Sequence, residues 1–199
     1  MNNIINFETL LNSSIDQLYK YGFLGTEIVV PTKNQIDTFK IIGINHDGTN
    51  NTIDLRSSIA TIEDMYFDNK SNIYEDSSIR KYLNTDYYDE FDPIVKEHIQ
   101  VMDVSSNGKI LKDKVKLLSM TELGLEDYHN DILKGEGNPY PVTTHMLKDI
   151  EDKYRMHMTR SRGLGNFRYI WYIGGSGCVG VNNCGCGRCV TPVIRIRRR

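Results

Sequence analysis

The chain is poor in the features from which catalysis is usually read. It has no G-x-x-x-x-G-K-[ST] phosphate loop, no H-E-x-x-H pair, and no nucleophile elbow around Ser161. These absences argue against P-loop nucleotide hydrolysis, zinc-peptidase chemistry and α/β-hydrolase chemistry. The five histidines (His46, His98, His129, His145 and His157) are scattered. Glu97-His98 and Glu126 to His129 could form a carboxylate–imidazole site only if the fold brought them together. No apolar run is long enough to cross a bilayer. The N-terminus lacks the basic start and apolar core of a secretory signal, so the expectation is synthesis in the cytoplasm without export. Tryptophan occurs once and proline five times.

A length of 199 residues at 39% hydrophobic content suits one domain with appendages. The net charge of −2 conceals an asymmetry: residues 151–199 sum to +8 and residues 1–150 to −10. A basic end on an acidic body can dock onto an acidic partner or onto a neighbouring copy. The terminal cluster Arg195, Arg197, Arg198 and Arg199 lacks interleaved recognition residues and reads as a solvated end, not a nucleic-acid contact.

Phe7, Leu10, Leu11, Ile15, Leu18 and Tyr19 recur at helical spacing and predict a helix from Phe7 to Tyr21, with Gly22 as its stop. Such a helix packs on its own domain or serves as a docking element for assembly. Ile28–Pro31 reads as a strand. Phe39–Ile44 and Thr52–Leu55 read as strands flanking an Asp47-Gly48 turn. Asp76, Ser77 or Ser78 caps a helix through Leu83, with Ile79, Tyr82 and Leu83 facing inward. Tyr87, Tyr88 and Phe91 form an aromatic knot, and Pro93 opens a helix through Ile99. Val115–Met120 reads as a buried strand. Residues 124–142, with Gly124, Gly135, Gly137, Pro139 and Pro141, read as an irregular loop, and Thr143 or Thr144 caps a helix through Tyr154.

The last forty residues read as short strands and tight turns. Tyr169–Ile173 is apolar on both faces, as a buried strand is. Gly174–Gly177 reverses the chain. Val179 and Val181 then share one face of a returning strand. Asn182, Asn183 and Gly185–Gly187 mark another reversal. Val190–Ile196 is a final strand, with Pro192 placing it at an edge or bulge.

All four cysteines, Cys178, Cys184, Cys186 and Cys189, fall in this stretch. They approach metal-ligand spacing without the usual pair of C-x-x-C knuckles, and the plainer reading is small, reduced, semi-buried residues. Gly175 to Gly180 spells G-x-G-x-x-G, but β-type sequence follows it, whereas a dinucleotide site needs a helix there. No cofactor is expected. Arg160, Arg162, Asn166, Phe167, Arg168, Ser176, Asn182 and Asn183 surround the late strands and are of the types that make adaptable binding faces. Arg160 also has the donors to pin carbonyls of neighbouring loops. Trp171 and Tyr172 read as core.

Several segments carry a resemblance. Thr159-Arg160-Ser161, Trp171-Tyr172-Ile173, Gly175 to Val179 and Val190 to Val193 resemble the T-R-S-x-G, W-Y-V, G-S-G-x-V and G-V-R-P-A pieces of an uncharacterised bacterial and phage domain family. Phe39 to Gly48, Ser77 to Asn84 and Lys116-Leu-Leu-Ser-Met-Thr-Glu122 resemble its upstream hairpin, helix and strand. Met158, Cys189 and Thr191 depart from its Trp, Gly and Arg. The family is similar to C-type-lectin-like folds used for display in phage tail and bacterial surface proteins.

The resemblance implies an α+β, C-type-lectin-like domain over residues 25–199, with short twisted antiparallel strands, flanking helices and an added N-terminal helix over residues 1–24. It also implies a virion protein, tail- or baseplate-associated or capsid-decorating; the lack of a catalytic constellation makes the expectation non-enzymatic, and the charge split with the extra helix suggests multiple copies among other virion proteins. On that reading Phe7, Leu10, Leu11, Ile15, Leu18, Arg197, Arg198 and Arg199 serve assembly, and residues 1–22 are removable without loss of the fold. The alternatives are a module recognising host-surface glycan, or an enzyme related to lectin-like sulfatase-modifying proteins, which would need the cysteines. The Glu-Pro-Asn type of pairing found in calcium-dependent lectins is absent, Asn138-Pro139 being its nearest echo.

Overall fold

The structure is a computed structural model, and it describes residues 4–20, 24–33, 36–58, 62–141, 156–174 and 177–198. It is a mixed α+β architecture, mostly open sheet with a few short helices. The first sheet contains β1 (Ile4–Asn6), β2 (Glu27–Pro31), β3 (Ile36–Ile44), β4 (Thr52–Ser57), β8 (Val115–Lys116) and β13 (Val193–Arg197), in the order β1-β2-β3-β4-β13-β8. The second contains β5 (Ile62–Met65), β9 (Met156–Arg162), β10 (Tyr169–Gly174), β11 (Val179–Asn183) and β12 (Arg188–Val190), in the order β11-β10-β9-β12-β5. A separate hairpin pairs β6 (Met102–Ser106) with β7 (Lys109–Asp113). Among the described residues no helix is long and apolar enough to cross a membrane.

Period-two alternation sets the faces of the first sheet. Ile53 and Leu55 of β4, with Ile194 and Ile196 of β13, join the main core. That core also holds Phe39, Phe67, Tyr74, Leu83 and Phe91. Asp54, Arg56, Val193 and Arg195 alternate with them and take the opposite face. The chain from Leu117 to Pro141 covers that face, with Leu118 and Tyr140 packed on Ile42 and Val193. Every residue of β4 is buried, as expected of a strand covered on both sides.

The hairpin around Asp47-Gly48 forms as expected, with Ile44 opposite Ile53. Ser77 caps α3 (Ser78–Tyr82), its Oγ accepting from Arg80 N. That helix then widens into a π turn over Leu83–Tyr87 and continues as α4 (Tyr88–Glu90). Tyr87 meets Phe91 edge to face. Asp92 caps α5 (Pro93–Lys96), which is shorter than the expected helix to Ile99. β10 and β11 pair antiparallel, with Trp171 opposite Val181 and Ile173 opposite Val179.

Other elements differ from the sequence expectation. The N-terminal helix is two helices, α1 (Phe7–Asn12) and α2 (Ile15–Lys20). The break falls at Ser14, whose Oγ accepts from Gln17 N while Gln17 Oε1 accepts from Ser14 N. This reciprocal capping box starts a new helix. The strand expected over Val190–Ile196 is split at Thr191-Pro192 into β12 and β13, which lie in different sheets. β13 is also internal, flanked by β4 and β8. The buried strand expected over Val115–Met120 pairs only at Val115–Lys116, although Leu117 to Met120 are buried. The helix expected from Thr143 or Thr144 to Tyr154 lies outside the described residues.

The N-terminal segment is part of the body. β1 runs parallel to β2, and Phe7, Leu10, Leu11 and Leu18 sit in the main core with Ile15 packed against it.

Candidate functional site

The polar motifs converge under the cover segment. Arg160, on β9, is 1% exposed. Its Nη1 donates to Glu122 Oε2 (2.5 Å) and to the Leu117 carbonyl (2.6 Å), Nη2 to the Glu136 carbonyl (2.7 Å), and Nε to the Ser105 carbonyl (3.2 Å). It therefore pins three backbone segments, the role its donors allow, and it is not on an exposed face. Glu122 also accepts from Lys116 Nζ (2.6 Å) and Ser119 N (3.1 Å). Burial works to raise the Glu122 pKa, but the Arg160 and Lys116 charges outweigh it and hold the carboxyl down to about 2. Ser161 Oγ donates to Glu136 Oε2 (2.5 Å). Burial dominates at Glu136 and raises its pKa.

A second network sits beside the first. Arg195 Nε and Nη2 grip the Asp54 carboxylate at 2.6 and 2.7 Å, and Nη2 also reaches Asp47 Oδ2 at 3.0 Å. Asn138 Nδ2 donates to Asp47 Oδ1 (2.9 Å), and the Tyr140 hydroxyl donates to Asp54 Oδ2 (2.8 Å). Burial opposes ionisation of Asp47, but the bonds from Asn138 and Arg195 outweigh it and lower its pKa. Arg56, on the same face, behaves differently. It is buried and its side chain makes no hydrogen bond or ion pair among the described residues, and burial lowers its guanidinium to about 10.

Above these networks lies a cleft of about 540 Å³. Asp47, Glu122, Asn138 and Arg195 line it, with the β6–β7 hairpin on one side. Gly137 comes so close to Glu122 that a Cβ there would lie 2.8 Å from Oε1, and its φ of +106° suits only glycine.

The residues expected to form a binding face divide into groups. Asn166, Phe167 and Arg168 lie on the β9–β10 turn. Asn183 of β11 stands opposite Tyr169, so Asn182 and Asn183 come to the same end of the second sheet. Asn72, itself 2% exposed, holds this turn from beneath. Its Nδ2 reaches the carbonyls of Gly163 (3.3 Å), Asn166 (2.9 Å) and Tyr169 (2.8 Å), and its N–H donates to the Phe167 carbonyl (2.9 Å). The pinned turn leaves Leu164 46%, Phe167 72% and Tyr169 40% exposed. Arg162 is half-buried at its start, opposite Ile170. Asn166 and Asn183 also bond local backbone, to Arg168 N and Gly185 N. Ser176 lies outside the described residues.

Of the assembly candidates, Arg197 is exposed, Arg198 is buried and Arg199 lies outside the described residues. Part of the positive C-terminal quarter is used inside the chain: Arg160 and Arg195 pair with Glu122, Asp54 and Asp47 of the acidic body. Trp171 is buried against Met120, Ile132 and Ile173. Tyr172 is half-buried, and its ring lies over Gly180.

The four cysteines are free thiols, two of them, Cys184 and Cys186, in the β11–β12 turn. Cys178 is exposed in the β10–β11 turn, Cys186 half-buried in the β11–β12 turn, and Cys184 and Cys189 buried. Among the described residues no three His, Cys, Asp or Glu side chains converge as metal ligands would. His98 Nδ1 contacts the Arg197 carbonyl, while His129 lies by Asp131 and against Trp171. The two histidine segments therefore face different neighbours.

The β6–β7 hairpin, a wall of the cleft, was not anticipated. Its signal was present as Asn107-Gly108, both at positive φ, a dipeptide that favours a tight hairpin. The cleft depends on contacts between residues far apart in the chain and has no short motif.

No curated protein and no solved structure matches the chain. A domain family described as a domain of unknown function, DUF6273, matches residues 49–196, a stretch that carries β4 to β13, the Arg160 network, the Arg195 network apart from Asp47, and the pinned turn. Because the match spans most of the sequence, the chain belongs to the DUF6273 family.

Proposed function

We propose that this protein is a non-enzymatic binding component with a display or attachment role in a phage or phage-derived particle, tail- or baseplate-associated or capsid-decorating. The observation that carries the reading is the turn held by Asn72. A loop fixed by a buried amide loses little entropy on binding, and this one presents Phe167, Leu164 and Tyr169 to solvent. Exposed aromatics on a rigid support are the usual anchors of protein contacts. The C-type-lectin-like resemblance of the motifs supplies the particle context. Support for a non-enzymatic role comes from the use of Arg160, Glu122, Lys116, Arg195 and Asp54 in interior pairs.

The test is cosedimentation of the purified chain with particles made by the strain carrying its gene. Phe167→Ala should abolish cosedimentation with little change in melting temperature. Cosedimentation that survives Phe167→Ala, or that the intact chain never shows, rejects the display reading.

A second reading, a module for cell-surface glycan, is favoured by the cleft over Arg195 and Asp47.

A further inference from the structure

We infer that the cleft between the Asp47 hairpin, the Gly135–Asn138 segment and the β6–β7 hairpin binds an uncharged saccharide through Arg195, Asp47 and Asn138. The inference rests on the second reading above and is independent of the display turn.

The volume comes first. About 540 Å³ lies within the ~300–1,000 Å³ typical of small-ligand sites.

The donors come next. Arg195 is 4% exposed, and Asp54 and Asp47 hold it through Nε and Nη2. Its Nη1 makes no hydrogen bond among the described residues and is not sealed from solvent. Arg195 lines the cleft, so a buried and rigid guanidinium offers unused N–H groups there. Asn138 is exposed beside it, with one amide N–H on Asp47 and the rest of the amide available. Donor and acceptor groups thus lie side by side, the arrangement that engages neighbouring hydroxyls.

Charge decides between ligand classes. The carboxylates around the cleft, Asp47, Asp54, Asp103 and Glu122, are matched by Arg195, Lys112, Lys116 and Arg160, and the buried Glu136 carboxyl is held by Ser161 Oγ and Asn107 N, so no excess of positive charge remains. An ion would leave water and find no net countercharge, which is costly. A hydroxyl exchanges water hydrogen bonds for protein ones at little net cost. The rim has the matching apolar character: Val101 and Ile110 line the cleft and are 54% and 61% exposed. These aliphatic side chains can cover the C–H face of a sugar ring.

The experiment screens a panel of neutral oligosaccharides against the full chain by saturation-transfer NMR and follows hits by calorimetry. At least one neutral saccharide should bind at millimolar concentration or tighter. Asn138→Ala or Ile110→Glu, both at exposed positions, should weaken it about tenfold or more, with only a small change in melting, since Asn138 gives up one exposed hydrogen bond to Asp47. Phe167→Ala should leave saccharide binding intact, which separates this site from the display turn. The inference fails if no panel member binds, if binding survives both cleft substitutions, or if inorganic phosphate or acetate displaces the sugar.

Discussion

Arg160 Nη1 donates to Glu122 Oε2 in the protein interior, 38 residues away along the chain. The bond joins the Thr159-Arg160-Ser161 segment to the Leu117-Leu-Ser-Met-Thr-Glu122 segment. Both stand out in the sequence as family-like motifs, and the structure explains them together. One supplies a buried cation and the other the buried carboxylate that makes it tolerable.

Removing one partner of such a pair strands the other. Glu122→Gln should cost about 3–5 kcal/mol of stability, because Arg160 and Lys116 would keep their charges without a counterion. Urea denaturation at neutral pH checks this. A loss well below about 1 kcal/mol would show that the pair contributes little.

The same group predicts an acid response. The folded pKa of Glu122, about 2, lies below its ordinary value of 4.5, so its contribution is fully present above pH 4.5. It is lost as pH falls towards 2. Glu136 acts with the opposite sign. Its folded pKa is raised, so its contribution is present below the ordinary carboxylate value and lost as pH rises through the raised one. Stability measured against pH should therefore fall in acid for the native chain and fall less steeply for Glu122→Gln.

Arg56 is buried, and its guanidinium has no hydrogen-bond or ion-pair partner among the described residues. An uncompensated buried charge costs stability, while an unbranched apolar side chain keeps the packing of its stem. Arg56→Met should raise the melting temperature. A fall of several degrees would mean that the guanidinium makes a contact that stabilises the fold.

Leu10 is fully buried in the main core, so Leu10→Ala should cost about 2–5 kcal/mol. Deleting residues 1–22 removes β1 together with Phe7, Leu10, Leu11 and Leu18, and should unfold the domain instead of releasing a folded one. Circular dichroism of the truncated chain decides between the two outcomes. A cooperative melt near that of the full chain would restore the view of this segment as an appendage.

Asn72→Ala should destabilise by about 1–3 kcal/mol, since it removes three hydrogen bonds made by a buried amide, although the Asn166 and Tyr169 carbonyls keep backbone donors. It should also loosen the Gly163–Tyr169 turn. Faster hydrogen exchange confined to that turn is the expected readout, and unchanged protection there would show that the turn is rigid without Asn72.

Local chemistry made part of the fold legible. The Asp47-Gly48 hairpin, the Ser77 cap, Tyr169–Ile173 and the return through Val179 and Val181 each follow from residue types within a few positions, because turns, caps and alternation are short-range. Two further local signals lie in the sequence: Ser14 with Gln17, and Asn107-Gly108. Both are short motifs inside stretches where a stronger apolar pattern or a charged run dominates.

The remainder required tertiary structure. Val190–Ile196 reads as one strand from its β-forming residues, and only the placement of β13 between β4 and β8 makes Pro192 a passage between sheets. The helical pattern from Phe7 to Tyr19 marks an apolar face without naming what covers it, and the main core does. The charge difference between the two parts of the chain suggests an external partner. In the folded protein Arg160 and Arg195 meet Glu122, Asp54 and Asp47 inside the molecule. Sequence thus determined the short-range elements and the residues able to carry buried charge. The fold decided which charges meet and where the cleft opens, because burial and pairing depend on contacts between residues far apart in the chain.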